Sequence, residues 1–238
     1  MAILPPGLPA ATNMVITQQF GALARSMVDT QLRRRGIRDE RVLEAMRSVP
    51  RHEFVPAKVM DHAYEDRPLP IGERETISQP YIVALMTEAA RVTPGCKALE
   101  IGGGSGYQAA ILSQMGATVF AIELNDRLAE EARLRLTRLG SKNVEVIAGD
   151  GSEGLPAHAP YDVIIISAGT PGISPALRDQ LAEGGRLIAP VGTRHEQELL
   201  LFYKHGGEIT TRYLGACQFV PLVGKGGWRQ EESSSYIS

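Results

Sequence analysis

A glycine-rich segment at residues 100–106 is the strongest candidate for ligand chemistry in this chain. It reads Glu-Ile-Gly-Gly-Gly-Ser-Gly, and it lies between a short apolar run at 98–101 and a helical pattern at 107–115. Glycine has no Cβ, so a ligand can lie directly against the backbone of such a loop, next to the N-terminus of the following helix. The segment therefore predicts a site for a nucleotide-like ligand. Its candidate binding residues are Gly102, Gly103, Gly104 and Gly106.

Two kinds of nucleotide site fit this loop. An acidic residue followed by alternating glycines is the pattern of class I S-adenosylmethionine-dependent methyltransferases, which the β-α-β alternation after the loop also resembles. Residues 104–109 equally fit the G-x-G-x-x-A form of a dinucleotide fingerprint, and Glu123 ends the next strand at about the usual spacing. The loop alone does not decide between the two.

Three neighbouring features favour S-adenosylmethionine. The carboxylate of Glu100 would repel a pyrophosphate, but it suits the cationic amino-acid end of S-adenosylmethionine. Asp150 and Gly151 follow the third predicted strand, where methyltransferases use an acidic residue to contact the adenine amino group. The final predicted strands are antiparallel, which resembles the reversed last strand of methyltransferase sheets.

Each of the two acidic assignments has a structural alternative. In a methyltransferase, Glu123 would accept hydrogen bonds from both ribose hydroxyls, because a carboxylate has two acceptor oxygens. Glu123 also precedes a predicted helix, where negative charge is favourable without any ligand. Asp150 could equally be a simple turn residue.

A set of ordered motifs outside the loop gives a closer resemblance. They are Gly-Ile at 36–37, Val-Pro-Arg-His-Glu-Phe-Val-Pro at 49–56, Ala-Tyr at 63–64, Thr-Ile-Ser-Gln-Pro-Tyr at 76–81 and Phe-Val-Pro-Leu at 219–222. Over residues 27–228 the chain resembles the protein-L-isoaspartate O-methyltransferases. The resemblance implies that Ser78 is the active-site residue and that Ile77, Ser78 and Gln79 line the cofactor. The structural alternative for Ser78 is an N-cap of the helix beginning near Pro80.

The resemblance implies a repair reaction on isoaspartyl proteins and peptides, with S-adenosyl-L-methionine as methyl donor and S-adenosyl-L-homocysteine as product. The free α-carboxylate of isoaspartate has an ordinary pKa of about 3.3–3.7, so it is already ionised at neutral pH and needs no general base. Positioning is then the main task of the site. Two alternatives stay open: a relative that methylates an aspartate of a dedicated peptide, and a nucleotide-binding oxidoreductase or binding module.

Two segments depart from the family pattern. Residues 72–76 read Gly-Glu-Arg-Glu-Thr, where the family commonly has a glycine-glutamine pair before Thr-Ile-Ser. Residues 167–175 replace an alanine-rich run that ends in Ile-Pro. The peptide preference is therefore left open by the sequence.

Composition limits the partners and the compartment. The chain has 238 residues, 43% of them hydrophobic, with 25 Lys and Arg against 27 Asp and Glu, which gives no strong field to attract nucleic acid or an anionic membrane. Cys96 and Cys217 are far apart, and no Cys or His spacing suggests a metal site. We expect a metal-free, cytoplasmic enzyme that acts as a monomer on isoaspartyl proteins.

Alternation of apolar runs and helical patterns predicts the fold class: an α/β Rossmann-like methyltransferase sheet, mostly parallel with its last strands antiparallel, helices on both faces, and an N-terminal helical cap. The expected organisation is a variable leader at 1–22, the cap at 23–94, the cofactor-binding core at 95–230 and a flexible tail at 231–238. Predicted helices are 28–46 (interrupted at Gly36), 81–92, 107–115, 126–139 and 174–181. Predicted strands are 98–101, 118–122, 144–147, 161–167, 186–191, 198–203, 208–213 and 216–220.

Overall fold

The computed structural model describes residues 10–229, with side chains from residue 18 onward. The predicted tail at 231–238 and the first part of the predicted leader, residues 1–9, lie outside the described residues. Within them a seven-stranded sheet has the strand order β5-β4-β3-β6-β7-β8-β9. Its strands are β3 (Lys97–Ile101), β4 (Thr118–Glu123), β5 (Val144–Ala148), β6 (Tyr161–Ile166), β7 (Leu181–Gly192), β8 (Gln197–His205) and β9 (Glu208–Cys217).

The sheet is parallel from β5 to β7 and antiparallel in the pairings β7–β8 and β8–β9. This confirms the predicted fold class. Successive strands are added on one side of β3 up to β5 and on its other side from β6 onward, so the topological switch point lies between β3 and β6. Ligand sites of open α/β sheets lie at the carboxyl ends of the strands at such a point. The glycine loop follows β3 directly, so the fold places it there.

Six α-helices accompany the sheet in the described part of the chain. They are α1 (Ala10–Met27), α2 (Glu40–Ser48), α3 (Pro80–Ala90), α4 (Tyr107–Gln114), α5 (Asp126–Arg138) and α6 (Pro175–Asp179). Helix α1 crosses the expected boundary at residue 22, and its end continues into a π-helical and then a 3₁₀ turn that stop at Gly36, which has a left-handed φ of 100°. None of the described helices is long and apolar enough to span a bilayer.

The two faces of the sheet are covered unequally. Side chains of α1 to α5 share one hydrophobic cluster with the inward residues of the strands, such as Ala98 and Ile165. The opposite cluster, which includes Leu99 and Ile164, is covered by α6 and by loops. The alternation of adjacent strand residues between the two clusters follows from the period of two in a β-strand.

The structure differs from the sequence prediction at several element boundaries. A two-stranded antiparallel hairpin, β1 (Leu69–Gly72) and β2 (Glu75–Ile77), was not predicted. The prediction of separate strands at 208–213 and 216–220 was wrong, because β9 runs continuously to Cys217 through a register irregularity opposite Leu199 and Leu200. The predicted helix 174–181 is shorter, since Leu181 already belongs to β7 and pairs with Tyr161.

Candidate functional site

The glycine loop turns sharply between β3 and α4. Gly102, Gly104 and Gly106 have φ values of 82°, 49° and 84°, in the left-handed region that favours glycine. The backbone N–H groups of Gly102 and Gly103 both donate to the carbonyl of Ile122, at 2.9 and 3.0 Å, which ties the loop to the end of β4. The loop is therefore a preformed element of the folded chain.

Glu123, the last residue of β4, holds both the loop and the start of α5. Its Oε2 accepts from the backbone N–H of Gly104 at 2.8 Å, and its Oε1 accepts from the N–H of Asn125 at 2.9 Å. The N-cap of α5 is Asn125, whose side chain accepts from Arg127 and Leu128. Glu123 thus lies at the helix start without being its cap, and its carboxylate lines the cavity beside the glycine loop.

Glu100 is a buried carboxylate at the foot of the loop. Its side chain is 1% exposed, and one oxygen accepts from the Ser167 hydroxyl at 3.2 Å. The other oxygen, Oε2, has no hydrogen-bond partner within the described structure. Burial raises the pKa of Glu100 to about 8, and the nearby charge of Glu123 adds to this effect. A buried acceptor without a donor is costly, so the site suits a ligand that brings a donor or a positive charge.

A third carboxylate, Glu75 on β2, was not identified from the sequence as a site residue. It lines the same cavity as Glu123. Burial raises the pKa of Glu75 to about 7, with a further contribution from the charge of Glu123. The only sequence signal was the departure from the family pattern at residues 72–76.

Two adjoining cavities of about 270 and 30 Å³ surround the loop, and we call them together the glycine-loop cleft. They share Thr76, Gly102, Gly104 and Ser167, and their walls carry the carboxylates of Glu75, Glu100 and Glu123. None of the described residues lining either cavity is Lys or Arg. A bound cation would favour the ionised form of these carboxyls, whereas the negative charge of a pyrophosphate would oppose it, so the cleft disfavours the dinucleotide interpretation.

Asp150 lies between Gly149 and Gly151, which line the larger cavity, but its own side chain does not line either cavity. Both of its carboxylate oxygens accept hydrogen bonds. Oδ1 accepts from the backbone N–H of Ser152 at 2.9 Å, and Oδ2 accepts from that of Lys225 at 2.8 Å. Asp150 therefore binds the segment after β9, whose residues 220–223 line the cleft. Gly151 lines the cleft, and a Cβ there would come within 3.0 Å of the Ile122 side chain.

Gly106 has a packing role, because a Cβ at this position would lie 3.1 Å from Leu136 of α5. It does not contribute to the walls of either cavity of the glycine-loop cleft.

The Thr-Ile-Ser-Gln-Pro segment connects the hairpin to α3. The N-cap position of α3 is Gln79, and no side chain caps this helix. Ser78 therefore does not act as the N-cap, which was the structural alternative for it. The side-chain amide nitrogen of Gln79, Nε2, donates to the backbone carbonyl of Asp66 at 2.9 Å, which anchors the segment to the loop before β1.

A third cavity of about 330 Å³, which we call the β9 cleft, meets the glycine-loop cleft at this segment. Thr76, Ser78 and Ser167 line both clefts. Ile77 faces the glycine-loop cleft, whereas Gln79 faces the β9 cleft. The remaining walls of the β9 cleft come chiefly from α3 and from the end of β9 with the residues that follow it: Tyr81, Ile82, Leu85, Leu214, Gly215, Ala216, Cys217, Gln218, Phe219 and Val220. The geometry suits two ligands that meet at Ser78.

The buried carboxyl of Glu100 and the half-buried carboxyl of Glu75 predict a pH dependence of stability. Glu75 and Glu100 keep their protons in the folded chain well above their ordinary pKa of 4.5, so the folded state binds more protons than the unfolded chain. The free energy of unfolding of the ligand-free protein should therefore fall as pH rises from about 5 to about 8. Asp150, whose pKa is lowered by its hydrogen bonds to Ser152 and Lys225, titrates below this window.

Urea unfolding at the two ends of that pH range measures the effect. The Glu100→Gln variant should show a weaker dependence on pH, because its side chain cannot ionise and only the contribution of Glu75 remains. Glu198→Gln, which changes an exposed carboxylate on β8, is the matched control and should keep the wild-type dependence. An unaltered pH dependence in Glu100→Gln would contradict the assignment of a buried, protonated Glu100.

Comparisons with known proteins agree with this geometry. The family model described as "Protein-L-isoaspartate(D-aspartate) O-methyltransferase (PCMT)" matches residues 24–227. A protein-L-isoaspartate O-methyltransferase of Methanoculleus marisnigri (strain ATCC 35101 / DSM 1498 / JR1) is 53% identical over 207 residues, which cover 87% of this chain and 94% of that protein.

Solved structures show the same likeness. One protein-L-isoaspartate O-methyltransferase matches with a TM-score of 0.76 at 32% identity, covering 85% of this chain and 66% of the other. A beta-aspartate methyltransferase (PCMT) from Plasmodium falciparum, in complex with S-adenosyl-L-homocysteine, matches with a TM-score of 0.74 at 26% identity, covering 84% of this chain and 98% of the other.

Proposed function

The chain belongs to the protein-L-isoaspartate(D-aspartate) O-methyltransferase family and is a protein-L-isoaspartate O-methyltransferase, and we propose that it methylates the free α-carboxylate of isoaspartyl residues where its two clefts meet. The observation that carries the proposal is the wall shared by the clefts. Ser78 lies on this wall, between an acidic cleft suited to a cationic nucleoside and a second cleft open to a peptide. Formation of the methyl ester would then initiate repair through a succinimide.

The residues of the glycine-loop cleft fit S-adenosyl-L-methionine, which supplies an activated methyl group on a positively charged sulfur. We assign the unpartnered Oε2 of Glu100 to the ammonium of its methionine part, because this buried oxygen lacks a donor. Glu123 would accept from the ribose hydroxyls; it has the acceptor capacity, since each of its oxygens now takes a single backbone hydrogen bond. The left-handed glycines let the ligand approach the loop backbone.

We assign Gly149, Asp150 and Gly151 to the adenine end of the cofactor. Gly149 and Gly151 line the cleft, together with Leu222 and Val223 from the segment after β9. The two Asp150 oxygens each retain a free lone pair after accepting from Ser152 and Lys225. Asp150 can thus accept from the adenine amino group while it keeps that segment in place.

The substrate carboxylate needs alignment rather than activation. It arrives ionised, so a group that accepted a proton from it would have no function. The hydroxyl of Ser78 can donate a hydrogen bond to one carboxylate oxygen and leave the other oxygen free to attack the methyl carbon in line with the departing sulfur. Neutral donors suit this task, because a cation would withdraw charge from the nucleophile. Thr76 and Ser167 offer two further hydroxyl-bearing side chains at the same junction.

We propose that the enzyme acts in the cytoplasm, as a monomer and without a metal ion. Cys96 and Cys217 are free thiols, which is compatible with a reducing compartment. The substrates would be isoaspartyl-containing proteins and peptides, with no nucleic acid or membrane partner.

Replacing Ser78 by alanine tests the proposed alignment. We expect turnover of an isoaspartyl peptide to fall about 10- to 100-fold, since a misplaced nucleophile loses rate while binding is preserved. The affinity for S-adenosyl-L-homocysteine, measured by calorimetry, should change little. Ser174→Ala is a matched control, because the Ser174 hydroxyl caps α6 away from the clefts. Wild-type turnover in Ser78→Ala would remove Ser78 from the reaction, and equal losses in both variants would indicate a general stability effect.

A further inference from the structure

Arg51 is a fully buried cation next to the proposed active site. It begins a short 3₁₀ helix, Arg51–Phe54, that follows α2. Its side chain is 0% exposed, and it is among the largest fully buried side chains in the described structure. Arginine is almost never fully buried unless it is paired, so the contacts of this side chain need an explanation.

The guanidinium donates hydrogen bonds to two backbone carbonyls. Nε donates to the carbonyl of Ala63 at 2.7 Å, and Nη2 donates to the carbonyl of Ser78, also at 2.7 Å. Nη1 has no hydrogen-bond partner, and among the side chains of residues 18–229 no carboxylate forms an ion pair with Arg51. The Tyr107 phenol and the Asp66 carboxylate contribute electrostatic attraction without such a pair. Burial of such a charge is unfavourable, and two carbonyl contacts compensate only part of it. The hydrogen bonds of the buried guanidinium thus offset its desolvation only in part.

The guanidinium also contacts the helix that follows the glycine loop. Its central carbon lies 4.8 Å from the ring centroid of Tyr107, the first residue of α4. Phe54 packs edge-on against the same ring, with centroids 5.3 Å apart. Because Tyr107 keeps this second partner, loss of the guanidinium should disturb the loop less than it disturbs Ser78.

We propose that Arg51 is a positioning residue, which fixes the backbone of Ser78 and thereby sets the direction in which the Ser78 hydroxyl enters the junction of the clefts. A hydrogen bond to the Ser78 carbonyl restrains the peptide plane that follows Ser78, between β2 and α3. The planar fork of arginine can hold the Ala63 and Ser78 carbonyls together, whereas a single ammonium holds them less well. This inference rests on the proposed function of Ser78.

The test compares Arg51→Met, Arg51→Lys and a control, Arg186→Met. Arg186 is a partly buried arginine that lies over the Tyr203 ring at 4.9 Å and donates to the Ala89 carbonyl at 3.3 Å, away from both clefts. For each protein we measure kcat and KM on an isoaspartyl peptide, the Kd for S-adenosyl-L-homocysteine, and Tm. In Arg51→Met we expect kcat to fall about 30-fold or more, with the Kd changed less than about threefold. Arg51→Lys should be intermediate, and Arg186→Met should keep the wild-type kcat.

A wild-type kcat in Arg51→Met would overturn the inference. So would a parallel loss of kcat and cofactor affinity that follows Tm, because a merely structural arginine would produce that pattern. If Arg51→Met does not fold, Arg51→Lys decides: an undiminished kcat overturns the inference, and a reduced kcat at unchanged Kd supports it. These outcomes are distinct from failure of the proposed function, in which the wild-type enzyme itself would not methylate the isoaspartyl peptide.

Discussion

Gly104→Val is expected to lower the affinity for S-adenosyl-L-homocysteine by about 100-fold or more. Gly104 has a φ of 49°, a left-handed conformation that a β-branched residue adopts only with strain. It also lines both cavities of the glycine-loop cleft, and its N–H holds Glu123 at 2.8 Å. A valine there would displace the loop backbone and project into the space between the loop and β1, where the nearest atom to a Cβ is the Ile71 side chain at 3.5 Å.

A matched variant separates backbone strain from loss of the site. Gly140 follows α5 with a φ of 80°, and a Cβ there meets nothing within 4 Å. Gly140→Val thus carries comparable left-handed strain away from the cleft, and we expect it to lower Tm while it leaves the calorimetric Kd unchanged. If Gly104→Val lowered Tm to the same extent and kept the wild-type Kd, the glycine would serve only the loop conformation.

The second large effect is substrate discrimination. We expect an isoaspartyl peptide to be methylated far faster than its aspartyl twin, by about 100-fold or more, because a displacement of the nucleophile by about 1 Å can cost that much. The twins carry the same charge and the same groups. They differ only in whether the free carboxylate is attached to the α-carbon or to the side chain, so the difference in rate must come from placement. Rates of methyl transfer to the two peptides under identical conditions measure it.

Much of the fold follows from local patterns. The parallel strands β3, β4 and β6 are buried apolar runs, and the glycine loop carries the left-handed turns that its residues indicate. The sequence did not predict the hairpin β1–β2, because its turn contains Glu73 and Arg74 at φ values of 51° and 63°. Positions with positive φ are ordinarily occupied by glycine or asparagine, so these two residues give no turn signal.

At the end of the sheet, strand prediction from the sequence failed for a different reason. In β9 the pairing steps from Gly215 opposite Leu199 to Tyr213 opposite Leu200, so that Leu214 is an extra residue. Such a bulge interrupts the alternation of apolar and polar residues on which strand prediction depends. The sequence therefore suggested two short strands where one continuous strand forms.

The site residues that belong to a recognisable sequence motif were predictable. Glu100 and the glycines lie in one motif, and Glu123 ends the next strand. The fold brings Ser78 from a distant segment to the same wall as the glycine motif. Glu75 and Arg51 were not identified as candidates, because their burial depends on elements far apart in the chain. Charged residues are expected at the surface, and only the packed structure shows a buried guanidinium between the Ala63 and Ser78 carbonyls.

Radiolabelled methyl transfer from S-adenosyl-L-methionine to paired peptides, which differ only in an isoaspartyl or aspartyl residue, measures the proposed activity and its selectivity together. We expect rapid, saturable labelling of the isoaspartyl peptide, little labelling of the aspartyl twin, and reduced turnover in Ser78→Ala at unchanged cofactor affinity. Equal labelling of the twins would contradict this expectation, and preferential labelling of the aspartyl peptide would instead indicate an enzyme that modifies ordinary aspartate.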